Sequence, residues 1–275
     1  IPGMLPFEDV QFQLVDLPPV SADFLEPWLV NTLQHADGIL LVIDVADPEC
    51  LEQVPTVLER LKEKKIYLRS AWPGLDSAST APEIDDDPFR MDLPTVLIAN
   101  KSDLDPDPEE VKVLEELLGL RFPAITVSAE TGDGLDEIGP FLFRALEIVR
   151  VYTKTPGKKA DDDRPFTVRR GDTVQDVASL VHKDIARGLK FARMWGEEVF
   201  DGQQVGPDHL VADKDIVELH SGCSDEHGKA VILLPVQALH VSCGMSNTAD
   251  IWTCLAVSYG IPRRRNVVSP TPRRR

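Results

Sequence analysis

Apolar positions recur along the first 150 residues with two alternating periods. Val10–Val15 alternates strictly, with Phe12 and Leu14 on one side and Gln11 and Gln13 on the other, and the run ends at Asp16. A period of two predicts a half-buried strand. Ala22–Gln34 carries Phe24, Trp28, Leu29 and Leu33 at helical spacing behind Ser21, a suitable N-cap. Gly38–Val45 is almost continuously apolar and reads as a buried strand. Pro48–Lys64 then places Leu51, Val54, Val57, Leu58 and Leu61 on one face of a helix. Strand 94–99, helix 107–119, strand 123–127 and helix 134–151 complete the series. Strands alternating with helices imply a parallel sheet with right-handed crossovers, an α/β fold of the doubly wound kind.

Residues 67–93 interrupt this rhythm. They are rich in Ser, Pro and acid, as in Asp85-Asp86-Asp87-Pro88, and are expected to form an exposed, flexible insertion. The segment 153–163 reads as a polar linker between a first domain, 1–152, and a second, 164–220. In the second, Pro165–Arg169 is a strand and Thr173–Asp176 an approximate capping box. Val174, Val177, Ala178 and Val181 follow at helical spacing. Lys190–Trp195 and Glu197–Phe200 look extended, Asp201-Gly202 signals a hairpin, and Ile216–Leu219 closes the unit. Strands around one helix in so short a span suggest a β-grasp arrangement. Residues 221–275 shift abruptly in composition and are expected to be a disordered basic tail.

The strand ending at Ala99 runs into Asn100-Lys101-Ser102-Asp103, a polar turn at the carboxyl end of a central strand. Open α/β sheets bind ligands at that edge. The side chains suit guanine. Asp103, acceptor-only, can take N1–H and the exocyclic amine together; Asn100 can serve N7; the Lys101 stem can lie along the purine face. Adenine offers neither donor and would leave the carboxylate unpaired, at a cost of about 1–3 kcal/mol. Residues 123–127 end in Ser128-Ala129-Glu130.

These turns, in this order, resemble those of the P-loop GTPases. The resemblance implies that the Ser128-Ala129-Glu130 turn gives a backbone N–H to guanine O6, and that Asp16 is magnesium-associated. Three further stretches, Arg164–Thr173, Phe191–Gly196 and Phe200–Gly206, closely resemble the TGS domain. A TGS domain directly behind a GTPase domain is similar to the Obg/DRG-like GTPases, whose cofactors are GTP or GDP with Mg2+. In that family the TGS module is thought to contact RNA, ribosomes or partner proteins. The resemblance therefore implies a ribosomal RNA or tRNA partner.

The family's Gly-x-x-x-x-Gly-Lys-Ser/Thr loop occurs nowhere in the 275 residues. Gly157-Lys158-Lys159 is the nearest approach, and the chain's first Met is residue 4. Both suggest a fragment lacking its beginning. The usual Asp-x-x-Gly reads Asp16-Leu17-Pro18-Pro19, and Pro19 has no N–H to offer a γ-phosphate. Phosphoryl transfer rests on positioning and charge stabilisation by those parts, so the chain is expected not to hydrolyse GTP. Guanine alone supplies about eleven heavy atoms. At ~0.3 kcal/mol each, this gives ~3–4 kcal/mol and millimolar or weaker binding. Two functions follow: a TGS-type GTP-binding protein carrying the guanine-reading half of the site, or a non-catalytic RNA- or protein-binding module on a degenerate G-domain scaffold.

The net charge of −17 is uneven. From Ser221 onward seven bases face three acids, a balance of +4, leaving −21 on the rest. An acidic body does not seek nucleic acid non-specifically, so RNA contact needs a local patch. Arg169, Arg170, Lys183, Lys190 and Arg193 are the candidates. The four cysteines, with no secretory signal ahead of them, read as reduced thiols in a cytoplasm, and no apolar run approaches membrane-spanning length. Cys223, His227, His240 and Cys243 have zinc-like spacing around an apolar Val231–Leu234 run that fits a zinc knuckle poorly, so no metal is expected.

Overall fold

The computed structural model describes residues 2–17, 27–47, 50–75, 87, 89–104, 121–157, 165–222 and 254–258. Helix 107–119 and the Cys/His pairs of 223–243 lie outside them. The first body is a sheet of β1 (Pro2–Phe7), β2 (Val10–Asp16), β3 (Gly38–Asp44), β4 (Ile66–Arg69), β5 (Met91–Asn100), β6 (Ala124–Thr126) and β12 (Cys254–Ser258). The order is β1-β2-β12-β3-β5-β4, with β6 also on β5. β3, β4 and β6 each pair with β5 in parallel.

Alternation along the central strands feeds two cores. Ile39, Leu41, Ile43 and Leu97 pack with Leu29 and Leu33 of α1 (Pro27–Gln34) and Val54, Val57 and Leu61 of α2 (Cys50–Glu63). On the other face Phe12, Leu40, Val96 and Ile98 pack with Phe141, Leu142 and Ala145 of α3 (Ile138–Ala145). A sheet covered on both faces is what near-continuous apolar strands require.

The second body has five strands in the order β10-β9-β11-β7-β8. They are β7 (Ile148–Thr153), β8 (Phe166–Arg169), β9 (Leu189–Trp195), β10 (Gln203–Val205) and β11 (Asp215–Ser221). Two helices follow β8, α4 (Val174–Val181) and the short α5 (Lys183–Gly188). α4 begins at a full capping box between Thr173 and Asp176. Its Val174 and Val177 meet Val149, Val151, Val168, Ala192, Met194 and Val217 in a third core. β7 is antiparallel to β8 and parallel to β11, which gives the β-grasp arrangement.

Several expectations are corrected. The helix expected over 134–151 stops at Ala145, and Glu147 turns the chain at φ +53. Val149 and Val151 alternate inward around Arg150 as part of a strand of the second sheet. Of the expected linker 153–163, Thr153 ends β7 and residues 158–163 lie outside the described ones. Glu197–Phe200 is a bend with Phe200 85% exposed, and β9 and β10 pair only from Met194 and Gln203 outward. Trp72, inside the expected flexible insertion, is buried against Phe141, and its Nε1 donates to the Thr95 carbonyl at 3.1 Å. Burying an indole ring outweighs the ordering cost of the residues around it. β1 was not foreseen; it pairs with β2 across the Glu8–Asp9 turn. Finally, residues 254–258 of the expected disordered tail form a strand inside the first sheet, because β2 and β3 offer paired edges on either side of it.

The two bodies meet at Arg150. Its guanidinium forks onto Asp213 at 2.6 and 3.0 Å and bonds Asp9 at 3.0 Å and Glu8, both from the β1–β2 turn. Tyr152 donates its hydroxyl to Asp9. Burial raises the Asp9 carboxyl, but hydrogen bonds from Tyr152 and Arg150 outweigh this and hold it below its ordinary value. Asp213 behaves likewise: burial is overcome by hydrogen bonds from the Arg150 side chain and backbone N–H. Burial first, then Asp9, pushes the Tyr152 hydroxyl up to about 12. Carboxylates held below their unfolded value of about 3.9 add stability that is fully present above that pH and lost as pH falls through the folded values. Removing one partner of a buried pair costs about 3–5 kcal/mol, less here because the acids are partly exposed. Arg150→Met is therefore expected to destabilise the fold by about 2–3 kcal/mol at pH 7. Denaturant titration should show the gap to the unmutated chain closing below about pH 4; a gap unchanged at pH 3 would refute the assignment.

Candidate guanine-binding site

β5 delivers Asn100 half-buried to the carboxyl rim of the sheet. The chain then turns sharply at Lys101, whose φ is +66, and Leu104 N–H closes the turn on the Lys101 carbonyl at 3.0 Å. The Ser128 turn arrives beside it from β6. Val127 N–H donates to Ala99 O at 2.8 Å, and Ser102 N–H donates back to Val127 O at 3.2 Å. Side chains lock the two turns together. Fully buried Ser128 donates its hydroxyl to Asp103 Oδ1 at 2.6 Å, and Ala129 N–H donates to Asn100 Oδ1 at 3.0 Å. Gly134 permits this closure: a Cβ there would lie 2.2 Å from the Thr126 carbonyl oxygen, and its φ is +73.

The sequence-predicted set thus assembles around Asn100, Lys101, Asp103, Ser128 and Ala129, with Glu130 exposed alongside. Chemically, exposed Asp103 has a second carboxylate oxygen besides the one Ser128 engages, and Asn100 keeps its amide donors once Oδ1 is engaged. One detail differs from expectation. The Ala129 N–H, expected to face O6, is already donated to Asn100. Asn100 thereby satisfies a backbone donor of the neighbouring turn.

Asp44 was missed. Its carboxylate holds Lys101 Nζ at 2.5 Å and accepts the Ala46 N–H at 3.0 Å, so it fixes the Lys101 stem at the rim. The signal was available: Asp44 ends an apolar strand whose parallel register places it opposite Asn100. Asp16 is differently placed. Through β12 it aligns with Leu255 and Leu40, and thence Val96, four residues short of Asn100. At 3.3 Å per residue it sits about 13 Å back from the guanine turn along the strands. The Asp16 turn therefore lies a step back from the Asn100–Asp103 turn. Among the described residues no His, Cys, Asp and Glu cluster could hold a metal ion.

The basic candidates scatter. Arg169 bonds Asp37 of the first body, and Arg170 reaches Glu147 at 3.8 Å. Lys183, Lys190 and Arg193 are exposed. Lys190 and Arg193 both lie on β9, on either side of Phe191 and close to the register shift at His220/Ser221. A cleft at the domain junction is lined by Gly74, Phe143, Arg144, Glu147, Ile148 and Arg170, none of them a guanine-turn residue.

A family model described as the TGS domain matches residues 149–221, starting within β7 as the fold does. An uncharacterized GTP-binding protein of Methanocaldococcus jannaschii is 28% identical over 272 residues, covering 80% of this chain and 68% of that protein. Developmentally-regulated G-protein 1 of Arabidopsis thaliana is 24% identical over 268 residues, covering 80% and 66%. The chain is a homologue of the DRG/Obg-like GTP-binding proteins and carries a TGS domain. It spans about two thirds of the length of those two relatives. A GTP-binding protein structure from Pyrococcus horikoshii aligns with 47% of the chain and 46% of its own, at 23% identity and a TM-score of 0.39. Among the described residues no helix is long and apolar enough to cross a membrane.

The Asn100–Ala129 bond is one of two side-chain bonds that tie these loops together among the described residues. Asn100→Ala is expected to speed amide exchange at Ala129 and Ser102 at least tenfold, with β9 and β11 unchanged, when measured by hydrogen–deuterium exchange. Unaltered protection at Ala129 would mean that the bond does not hold the loops.

Proposed function

We propose that this chain is a guanine-recognising protein of the TGS GTPase type, binding the base of GTP or GDP through Asn100, Lys101, Asp103 and the Ser128-Ala129-Glu130 turn. The observation that carries this reading is the side-chain lock between Asp103, Ser128, Asn100 and Ala129. It leaves the second carboxylate oxygen of Asp103 and the amide group of Asn100 outside the lock. The relative in Methanocaldococcus jannaschii is named a GTP-binding protein, which supports the same ligand.

The chain binds this ligand weakly and does not hydrolyse it. No phosphate-cradling loop occurs in its 275 residues, and base contacts alone give about millimolar affinity. Asp16 is assigned to magnesium in a complete site. The Lys101–Asp44 pair keeps the lysine stem in place for stacking. The test is a swap of base preference. A carboxylate at 103 accepts from guanine N1–H and the 2-amine, whereas an amide can donate to the 2-oxo group of xanthine. In NMR titration at millimolar nucleotide, GDP is expected to move the amides of Lys101 and Ala129, and Asp103→Asn to transfer the response to xanthosine diphosphate. Equal responses to ADP and GDP would overturn the assignment.

A second reading makes the TGS unit the working part, contacting ribosomal RNA or tRNA, and one observation favours it. On the face of β9 and β11 turned away from α4, Phe191 stacks on His220 at 4.5 Å, and Lys154 lies 4.1 Å above the Trp195 ring. Exposed Arg193 stands between Phe191 and Trp195 on that face. Aromatic side chains interleaved with cations form stacking platforms for single-stranded nucleic acid. Arg169 is excluded from this surface by its bond to Asp37, so the informative variant is Lys154→Glu/Arg193→Glu, at the two cations of that face. It is expected to reduce ribosome co-sedimentation several-fold and to flatten its salt dependence; an unchanged profile would remove the reading.

A further inference from the structure

Alternation along the second sheet divides its residues between two faces. Val149, Val151, Val168, Met194 and Val217 turn to the core beneath α4. The intervening positions share the opposite face. On β7 these are Ile148, Arg150 and Tyr152, with Lys154 one position past the strand. Arg169 of β8 stands opposite Ile148, and Ile216 of β11 beside Tyr152. Trp195 and Arg193 of β9 stand opposite Ile216 and Glu218. The side chains that join the two bodies and the aromatic–cation cluster around Trp195 therefore occupy one continuous face.

The first body covers half of that face. Ile148 lies in its core with Phe141 and Leu142. Beside it, three donors of the second body are taken by first-body carboxylates. Arg150 Nη1 donates to Asp9 at 3.0 Å and to Glu8, the Tyr152 hydroxyl donates to Asp9, and Arg169 Nη2 donates to Asp37. The other edge of the Arg150 guanidinium is forked onto Asp213 of the second body itself, so Nη1 is the edge offered outward. Toward β9 the face is open: Arg193 is exposed and Lys154 lies over the Trp195 ring. Glu218, the acid at its centre, is buried and engaged by His220 at 2.8 Å and Lys154 at 3.7 Å.

Carboxylate and phosphate make the same demand on an arginine, since both offer oxygens that accept charge-assisted hydrogen bonds. Resting on the nucleic-acid reading of the Trp195 surface, we propose that Glu8, Asp9 and Asp37 are an acidic cover over the rest of that surface. They occupy donors that a single-stranded nucleic acid laid along the face takes when the cover is off, so docking of the first body and binding of the polyanion compete. A ligand that needs Arg150 Nη1, Tyr152 and Arg169 meets only the undocked fraction of the chain, and its apparent affinity falls by that fraction. Lys154, Arg193 and the aromatic rings stay accessible, so weaker binding persists with the cover in place.

The experiment follows the fluorescence anisotropy of a labelled oligouridylate of about 12 nucleotides against the 275-residue chain and three variants. Glu8→Gln/Asp9→Asn uncovers the face. Lys154→Glu/Arg193→Glu damages its open half. Glu52→Gln/Glu59→Gln removes the same two charges from exposed positions of α2 and controls for net charge. The uncovering variant is expected to bind about fivefold more tightly than the unmutated chain, with a steeper salt dependence because a further cation meets phosphate. The α2 variant is expected to stay within about twofold. Equal affinity of the uncovering and α2 variants, with binding still weakened by Lys154→Glu/Arg193→Glu, would overturn the cover and leave the nucleic-acid surface standing. Binding indifferent to Lys154 and Arg193, or absent from every chain, would overturn both. Hydrogen–deuterium exchange in β5 and β9 checks folding. Should the paired substitution disturb the first body, Glu8→Gln alone, at the more exposed of the two acids, carries the comparison; no tightening there would equally overturn the cover.

Discussion

Parallel pairing along both flanks of β5 is the constraint from which the first body follows. Thr95–Asn100 lies against Ile39–Asp44 on one side, and Leu97–Ala99 against Ala124–Thr126 on the other. A buried strand must have its backbone donors and acceptors paired on both edges, so the three strands share one register. That register ends β3 and β5 together, places Asp44 opposite Asn100, and leaves the β6 turn one step away. Each polar turn then satisfies itself against its neighbour: Lys101 on Asp44, Asp103 on Ser128, Asn100 on Ala129. The site is a consequence of where apolar pairing stops.

Attachment of the second body rests on different chemistry. Arg150 is 5% exposed and its guanidinium is shared among Asp213, Asp9 and Glu8. Asp37, itself buried, takes Arg169. Both arginines lie on the β7–β8 hairpin, and all the acids but Asp213 belong to the first body. A junction built from charge is directional, and it fixes the orientation of the β-grasp unit against the β1–β2 turn. Arg169 read as a nucleic-acid contact because a cation in sequence carries no sign of its partner. The partner lies 132 positions away.

Local pattern carried much of the rest. The alternation of Val10–Val15, the helical spacing through Leu61, the apolar run at 94–99 and the Thr173–Asp176 cap each became the element they suggested. Patterns failed where periodicity was ambiguous or composition misled. Leu146, Ile148, Val149 and Val151 fit a helical face as well as a strand, and the chain breaks at Glu147 because Val149 and Val151 are needed by the second core. Trp72 sits in a stretch whose acid and proline content masked one large apolar anchor.

The sequence by itself determined the α/β class, the β-grasp module and the polar turns at Asn100–Asp103 and Ser128–Glu130, because these depend on period, capping and side-chain chemistry within a few positions. Only the tertiary structure decided that Asp44 braces Lys101, that Arg150 and Arg169 join the two bodies, and that Cys254–Ser258 lies between β2 and β3. Those are pairings across long separations. They are set by which buried edges and charges remain unsatisfied once the local elements have formed, and no local window of residues contains that information.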